Sequence, residues 1–219
     1  MIRLARLFGF GLISLSMFAS CSKRETAAPV GGDAPSVPVG TTSALPKMES
    51  SPPKGESIYQ LEMKLTDQDG KTVPLDVFRG HPTVVSMFYA TCPAACPLLV
   101  RDIKVLEENV PPAVRDNVRV LLVSFDVQRD TPAQLMAMAQ KLKVNLPRWK
   151  MTVAPSDDAA RDLAAVLGFQ YRKLEDGEFS HSARISLLDE NGVVVAQAEG
   201  LGEAKTALLP ELERRKMVH

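Results

Sequence analysis

Two cysteines, Cys92 and Cys96, lie in residues 91–97, whose sequence is TCPAACP. The segment follows a predicted buried strand and precedes a predicted helix, where unpaired N–H groups and the helix dipole lower the pKa of a thiol. Four residues separate the cysteines, so both sulfurs fall on one face once the segment turns helical. The pair can therefore close a disulfide, act as a nucleophile or bind one soft metal ion such as Cu(I) or Zn(II).

A third metal ligand has to come from elsewhere in the chain, because two sulfurs alone do not fill a tetrahedral zinc site. Of the three histidines, His81, His181 and His219, only His181 lies in a segment that the strand order can return to the same edge of the sheet. A neutral imidazole there would complete a site of two sulfurs and one nitrogen that suits copper. Two alternatives stay open here: His181 is a surface residue at the start of a strand, or the cysteines form a structural disulfide.

The elements that position these residues alternate between strand and helix from about residue 56 onward. Apolar runs and turn residues predict strands over 61–66, 71–74, 83–89, 118–125, 150–154, 183–188 and 193–199. Helical spacing and capping residues predict helices over 98–110, 132–142, 157–167 and 203–215. Parallel βαβ units joined to hairpins favour an α/β fold of thioredoxin-like outline, with a central mixed sheet, helices on both faces and an N-terminal β-hairpin.

The first 20 residues have the features of a secretion signal. Arg3 and Arg6 precede an apolar stretch at 7–19, which is shorter than the ~20 residues that a membrane-spanning helix needs. The small residues before Cys21 resemble a bacterial lipoprotein processing site, with Cys21 as the lipidated mature N-terminus. The alternative is ordinary signal cleavage that leaves Cys21 as a free thiol.

Residues 22–55 contain six prolines and four glycines but no aromatic residue. Such a segment cannot bury enough apolar surface to offset its ordering entropy, so we predict a disordered tether. The predicted organisation is therefore a signal peptide at 1–20, a lipidated N-terminus and tether at 21–55, and one thioredoxin-like domain at 56–219.

Composition limits the possible functions. The 219 residues carry 26 basic and 26 acidic side chains, and this zero formal charge offers no basic field for nucleic acid. The 45% apolar content suits one ordinary globular domain and excludes a collagen-like, coiled-coil or wholly disordered chain. If Cys21 carries lipid, Cys92 and Cys96 hold the whole thiol chemistry of an exported chain.

Three segments resemble the signature segments of the Sco/SenC family and occur in the family's order. They are FYATCPAACP at 88–97, SFDVQRDTP at 124–132 and FSHS at 179–182. The resemblance extends over about residues 58–201 and implies a thioredoxin-like fold. A Cys-x-x-x-Cys between prolines with a downstream His-Ser is far more specific than either piece alone.

The resemblance implies a copper site at Cys92, Cys96 and His181. The family's Asp-x-x-x-Asp-Thr-Pro segment begins with Asp126 and Asp130, which we interpret as turn or capping carboxylates with no ligand role.

Two residues depart from the family pattern. Val127 stands where many members have proline, and Ser180 stands where many have aspartate. The segment 168–181 is also shorter than in many relatives, which leaves less chain for the mobile loop that is thought to deliver the histidine in the family.

The resemblance implies an exported copper metallochaperone that delivers copper, as Cu(I) or Cu(II), for the CuA centre of cytochrome c oxidase. Such a protein would be lipid-anchored on the periplasmic side, with the inner membrane favoured. Its partners would be the CuA-bearing subunit of the oxidase or another exported copper protein, and a thiol reductant. An alternative is a thiol–disulfide oxidoreductase that uses Cys92 and Cys96 on exported proteins. A third candidate is a peroxidase, since residues 80–92 and the N-terminal hairpin also resemble peroxiredoxins.

Overall fold

A computed structural model describes residues 55–215 of the chain. Its strands are β1 (Lys64–Asp67), β2 (Thr72–Pro74), β3 (Thr83–Phe88), β4 (Arg119–Ser124), β5 (Trp149–Val153), β6 (Tyr171–Lys173), β7 (Phe179–His181), β8 (Arg184–Leu188) and β9 (Val194–Glu199). Its helices are a 3-10 helix (Ile58–Leu61), α1 (Ala95–Asn109), α2 (Pro112–Arg115), α3 (Pro132–Lys141), α4 (Asp157–Leu167) and α5 (Ala204–Arg215). None of the helices described has the length and apolar composition to cross a membrane. The predicted signal peptide, Cys21, residues 22–54 of the predicted tether and His219 lie outside the described residues, so their assignments stay predictions.

Seven strands form one mixed sheet in the order β2-β1-β5-β4-β3-β8-β9, and β6 pairs with β7 in a separate two-stranded sheet. β3, β4 and β5 are parallel, whereas β1, β2, β8 and β9 pair in antiparallel fashion. Every residue of β3 is buried, which requires cover on both faces of the sheet. The predicted mixed sheet with helices on both faces is confirmed, and β1 and β2 form the predicted N-terminal hairpin.

The carboxyl ends of β3 and β4 meet at one edge of the sheet, because these parallel strands pair Phe88 with Ser124. β3 leads directly into the segment that carries Cys92 and Cys96, and β4 leads into the loop that carries Asp126. Ligand sites in α/β sheets gather at the carboxyl ends of parallel strands. The fold therefore brings two of the three segments named above to the same edge.

Side-chain caps fix where two of the helices begin, as the sequence predicts. The Thr131 hydroxyl accepts the N–H of Gln134, and the Gln134 side chain accepts the N–H of Thr131. The Ser156 hydroxyl accepts the N–H of Ala159 at 3.2 Å and starts α4. Gly168 ends α4 at a φ of 64°, a left-handed conformation that costs glycine little.

Two predicted starts are wrong by three residues, whereas the other predicted boundaries lie within about one residue of the structure. The strand predicted at 61–66 begins only at Lys64, because the preceding residues form a 3-10 helix that buries Ile58 and Tyr59. The helix predicted at 98–110 begins at Ala95. Prolines near its N-terminal end led to a predicted start that is too late. Proline is nevertheless tolerated in a first turn, where N–H groups have no intrahelical partner.

The largest departure from the predicted elements is the β6–β7 hairpin. Each strand has three residues and mixes half-buried with exposed side chains, so neither shows the periodicity that predicts a strand. His181 therefore ends β7, which pairs with β6, and does not open the strand predicted at 183–188.

Candidate metal centre

Cys92, Cys96 and His181 come together at the edge where β3 and β4 end. Their two sulfurs and one ring nitrogen all lie within 4.8 Å of one another, and the Cys92 Sγ is 4.0 Å from the His181 Nε2. Both cysteines are buried free thiols. No other group of three or more Cys, His, Asp or Glu side chains within residues 55–215 has such geometry. His81 instead lies 2.5 Å from the side-chain oxygen of Asn117, as expected for a loop residue.

The Cys92 sulfur caps the first turn of α1. Its Sγ accepts the N–H of Cys96 at 3.4 Å, whereas Ala94 at the N-cap position makes no side-chain hydrogen bond. Cys92 itself stays outside the helix, because a residue that precedes a proline, here Pro93, avoids helical dihedrals. The shared helical face that the spacing suggested is therefore wrong, and the sulfurs meet through this cap.

The same contacts separate the acidities of the two thiols. Burial opposes ionisation of Cys92, but the N–H groups of Cys96 and Ala94 and the His181 imidazole outweigh it and lower the pKa of Cys92 to about 7. Burial raises the pKa of Cys96, and a negative charge on Cys92 raises it further. Cys92 is therefore the thiol that ionises first, while Cys96 keeps its proton at neutral pH.

His181 presents its Nε2 to the cysteines because its other ring nitrogen is engaged. Nδ1 lies 2.8 Å from the carbonyl oxygen of Ser182, which can only accept, so Nδ1 donates and carries the proton. Nε2 is therefore the ring nitrogen left for the cysteines, and it lies 4.0 Å from the Cys92 Sγ. Hydrogen bonding of the second nitrogen is the usual way in which proteins fix the tautomer of a metal-binding histidine.

Five aromatic side chains, here called the aromatic cluster, pack beside the His181 ring: Tyr89, Phe125, Phe169, Tyr171 and Phe179. Phe169 stacks on the imidazole at a centroid distance of 5.9 Å, and Tyr89 meets it edge-on at 5.7 Å. Phe125 is central, because its ring contacts the imidazole and all four other members. The cluster forms an apolar wall that holds the ring and limits the access of water. No motif or spacing in the sequence predicts it.

Comparison with known proteins identifies the family. Residues 52–214 match the family model described as SCO1/SenC. The chain belongs to the SCO1/SenC family.

Individual SCO1/SenC proteins are distant in sequence but share the fold. The SCO1 protein homolog of Bacillus subtilis is 23% identical over 146 residues, which are 65% of this chain and 75% of that protein. The structure of Bradyrhizobium japonicum ScoI with copper bound is 25% identical, with a TM-score of 0.55 over 69% of this chain and 96% of that chain. The solution structures of apo Sco1 from Thermus thermophilus are also 25% identical, with a TM-score of 0.57 over 70% of this chain and 89% of that chain. These likenesses confirm the predicted thioredoxin-like fold.

Glu178 ties the β6–β7 hairpin of this SCO1/SenC domain to the site edge of the sheet. The Tyr89 hydroxyl donates to the Glu178 carboxylate at 3.0 Å, and the Arg129 guanidinium donates to the same carboxylate at 3.4 Å. Arg129 also pairs with the buried Asp126. Glu178 therefore helps to position the hairpin that carries His181, a role for which the sequence has no signal.

Asp130 fixes the backbone just before the cysteine segment. Its Oδ2 accepts the N–H of Ala90 at 2.7 Å and the hydroxyl of Ser124 at 2.5 Å. Burial raises the pKa of Asp130. Neither Asp126 nor Asp130 belongs to the group of candidate metal ligands, in agreement with their interpretation as structural carboxylates.

Proposed function

We propose that this chain is a copper metallochaperone, which binds one copper ion through Cys92, Cys96 and His181 and passes it to a partner protein. The observation that carries the proposal is the approach of two sulfurs and one imidazole nitrogen to within 4.8 Å of one another. This soft donor set favours copper over cations that prefer oxygen ligands. The related Bradyrhizobium japonicum ScoI has copper bound in its structure, which supports the same cargo here.

The three side chains need only a small closure to hold the ion. Bonds of about 2.0–2.3 Å place three trigonal ligands about 3.7 Å apart. The widest separation in the group is 4.8 Å, so a movement of about 1 Å is enough. Loading would release the protons that Cys92 and Cys96 still carry, because thiolates are the ligands. A three-coordinate ion also leaves room for the incoming ligand of an acceptor.

Delivery of the copper is proposed from the family and from the N-terminal sequence. The lipid on Cys21 would hold the chain at the periplasmic side of the membrane, and residues 22–55 would let the domain reach on the order of 30 Å from that point. The proposed acceptor is the CuA-bearing subunit of cytochrome c oxidase or another exported copper protein. A thiol reductant would keep Cys92 and Cys96 reduced between transfers.

The test is an anaerobic Cu(I) titration of the reduced full-length chain carrying Cys21→Ser, in which Cys92 and Cys96 are the only thiols. A competing Cu(I) chelator measures the affinity, and X-ray absorption counts the sulfur and nitrogen neighbours of the metal. We expect one tightly held copper per chain with two sulfurs and one nitrogen. Copper held no better than by a free dithiol, or a ligand set without sulfur, would contradict the proposal.

The unequal acidities of the two cysteines favour thiol–disulfide exchange as a second function. The Cys92 thiolate would attack one sulfur of a partner disulfide, forming a mixed disulfide and releasing the other sulfur as a thiolate. Cys96, after losing its proton, would then attack the Cys92 sulfur and release the partner as a dithiol. The chain ends with a Cys92–Cys96 disulfide, which cannot bind copper until a reductant reopens it.

Exchange should switch on as the pH rises through 7. Because the pKa of Cys92 is lowered to about 7, its thiolate forms over this interval, and the rate of exchange with a small disulfide should rise with it. Ultraviolet thiolate absorbance of the reduced Cys21→Ser chain measures the midpoint directly. We expect Cys92→Ser to abolish the rise in thiolate absorbance near pH 7. Cys96→Ser should keep it, because the N–H that Cys96 donates to the Cys92 sulfur is a backbone group. A first thiolate that forms only near pH 9.0, the ordinary value for cysteine, would contradict the prediction.

A further inference from the structure

A cleft of about 110 Å³ opens beside the candidate metal centre. Its aromatic walls are Phe125, Tyr171 and Phe179, and its charged walls include Arg161, Arg172 and Lys173. This volume is several times the roughly 10–15 Å³ that one water needs, so it admits a carboxylate on a short methylene stem. The described contacts of the metal centre use none of the three cations.

The three cations of the cleft are available to a ligand. All three are exposed, and none lies within ion-pair distance of a carboxylate in the described part of the chain. The Arg161 guanidinium lies 5.8 Å from the Tyr171 ring centroid, and the Lys173 ammonium lies 6.0 Å from the Phe179 ring centroid. Aromatic faces therefore orient two of the charges without neutralising them.

Two carboxylates also line the cleft but leave its charge positive. Asp126 is buried and already paired with Arg129, so its charge is compensated. Asp157 is exposed at the start of α4. Three cations against this one uncompensated carboxylate leave a surplus of two positive charges. The buried Tyr171 hydroxyl makes no hydrogen bond within the described residues.

The cleft adjoins the metal centre through shared residues. Tyr171 is the cross-strand partner of His181, and the Phe125 ring centroid is 5.8 Å from that of His181. A side chain held in the cleft would therefore bring the rest of its own chain close to Cys92 and Cys96. Holding two groups near each other in this way raises their effective concentration.

We infer that this cleft binds an aspartate or glutamate side chain of an acidic segment on the protein that exchanges copper or electrons with the metal centre. Only the identity of that partner rests on the proposed function. Charge complementarity favours a carboxylate, and the small volume between the aromatic walls favours a single side chain. An extended polyanionic surface would need a wide basic field, which a chain of zero formal charge does not provide.

The test compares two fluorescent twelve-residue peptides, one with glutamate at alternate positions and one with glutamine in their place. Their binding to the reduced full-length chain is measured by fluorescence anisotropy at low salt. We expect the glutamate peptide to bind at least about tenfold more tightly than the glutamine peptide, and Arg172→Glu with Lys173→Glu to remove this difference. Acetate should compete with the glutamate peptide, and about 0.5 M salt should weaken its binding.

The control is a second double variant, Lys64→Glu with Lys205→Glu. Both lysines are exposed, lie outside the cleft and have no ion pair in the described part of the chain, and the change in net charge is the same. This control should bind the glutamate peptide within about twofold of the unchanged chain. An equal loss in both double variants, or equal binding of the two peptides, overturns the inference.

Lipid binding and copper affinity are measured on the same samples. If the cleft variant loses binding to phosphatidylglycerol vesicles but not to the glutamate peptide, the cleft recognises lipid, and the inference is wrong. Tight copper binding without preference for the glutamate peptide overturns only the docking inference. A preference for the glutamate peptide without tight copper binding overturns only the metallochaperone proposal.

Discussion

The Cys92→Ser variant is expected to bind Cu(I) on the order of 1,000-fold more weakly than the unchanged chain, a loss of about 4 kcal/mol. Cys92 supplies the more acidic of the two thiols, with a pKa lowered to about 7, whereas a serine hydroxyl stays protonated and is a poor ligand for a soft ion. The measurement is an anaerobic competition with a Cu(I) chelator, on the full-length chain carrying Cys21→Ser.

The His181→Ala variant discriminates between the two proposed functions. We expect it to weaken copper binding by about 100-fold, less than the loss of a sulfur ligand, because two thiolates still hold the ion. Thiol–disulfide exchange measured well above pH 7, where the Cys92 thiolate is formed in both chains, should change little, since the attack and the resolution use only sulfur. Near pH 7 exchange should slow, because the imidazole contributes to the lowered pKa of Cys92. The matched control is His81→Ala, because His81 pairs with Asn117 and lies outside the candidate site. Copper affinity that is indifferent to His181→Ala would favour the oxidoreductase over the metallochaperone.

The sequence was sufficient to predict the elements that carry their own local signals. β3 and β4 are continuous runs of β-branched and apolar residues, and such runs form central strands that are buried on both faces. α3 and α4 begin directly after Thr131 and Ser156, whose side chains accept N–H groups three residues further along. These signals depend on neighbours in the chain, so no tertiary contact is needed to find them.

The candidate ligands could be predicted, but the way in which they meet could not. Cysteine and histidine are scarce here, and the strand order leaves only His181 to join Cys92 and Cys96. The four-residue spacing suggested a shared helical face, yet Pro93 keeps Cys92 out of the helix. The sulfur instead accepts the N–H of Cys96, a contact that depends on where α1 begins.

The surroundings of the imidazole could not be predicted because they are built from distant segments. Tyr89 and Phe125 follow β3 and β4, whereas Phe169, Tyr171 and Phe179 lie around the short β6–β7 hairpin. The hairpin has too few residues to show a periodic pattern, and its connection to the sheet edge through Glu178 is a contact between distant residues. The cleft beside the metal centre depends on the same hairpin, so it could not be predicted from the sequence either.

The central position of Phe125 makes its truncation costly. Phe125→Ala is expected to lower the free energy of unfolding by about 4 kcal/mol, because the ring is only 1% exposed and its removal leaves a cavity among four aromatic neighbours. Urea unfolding of the reduced full-length chain measures the change. Phe125→Leu should cost about 1–2 kcal/mol, since most of the apolar volume remains.

Copper affinity separates the two roles of this ring. Phe125→Ala should also weaken copper binding by about 10-fold or more, because the imidazole of His181 loses a wall that holds it in place. The matched control is Phe78→Ala, which removes another buried phenylalanine that lies outside the aromatic cluster. It should cost several kcal/mol of stability, on the order of 3, yet leave copper affinity unchanged. If both variants weaken copper binding equally, the loss follows stability alone, and the aromatic cluster has no specific part in holding His181 toward the cysteines.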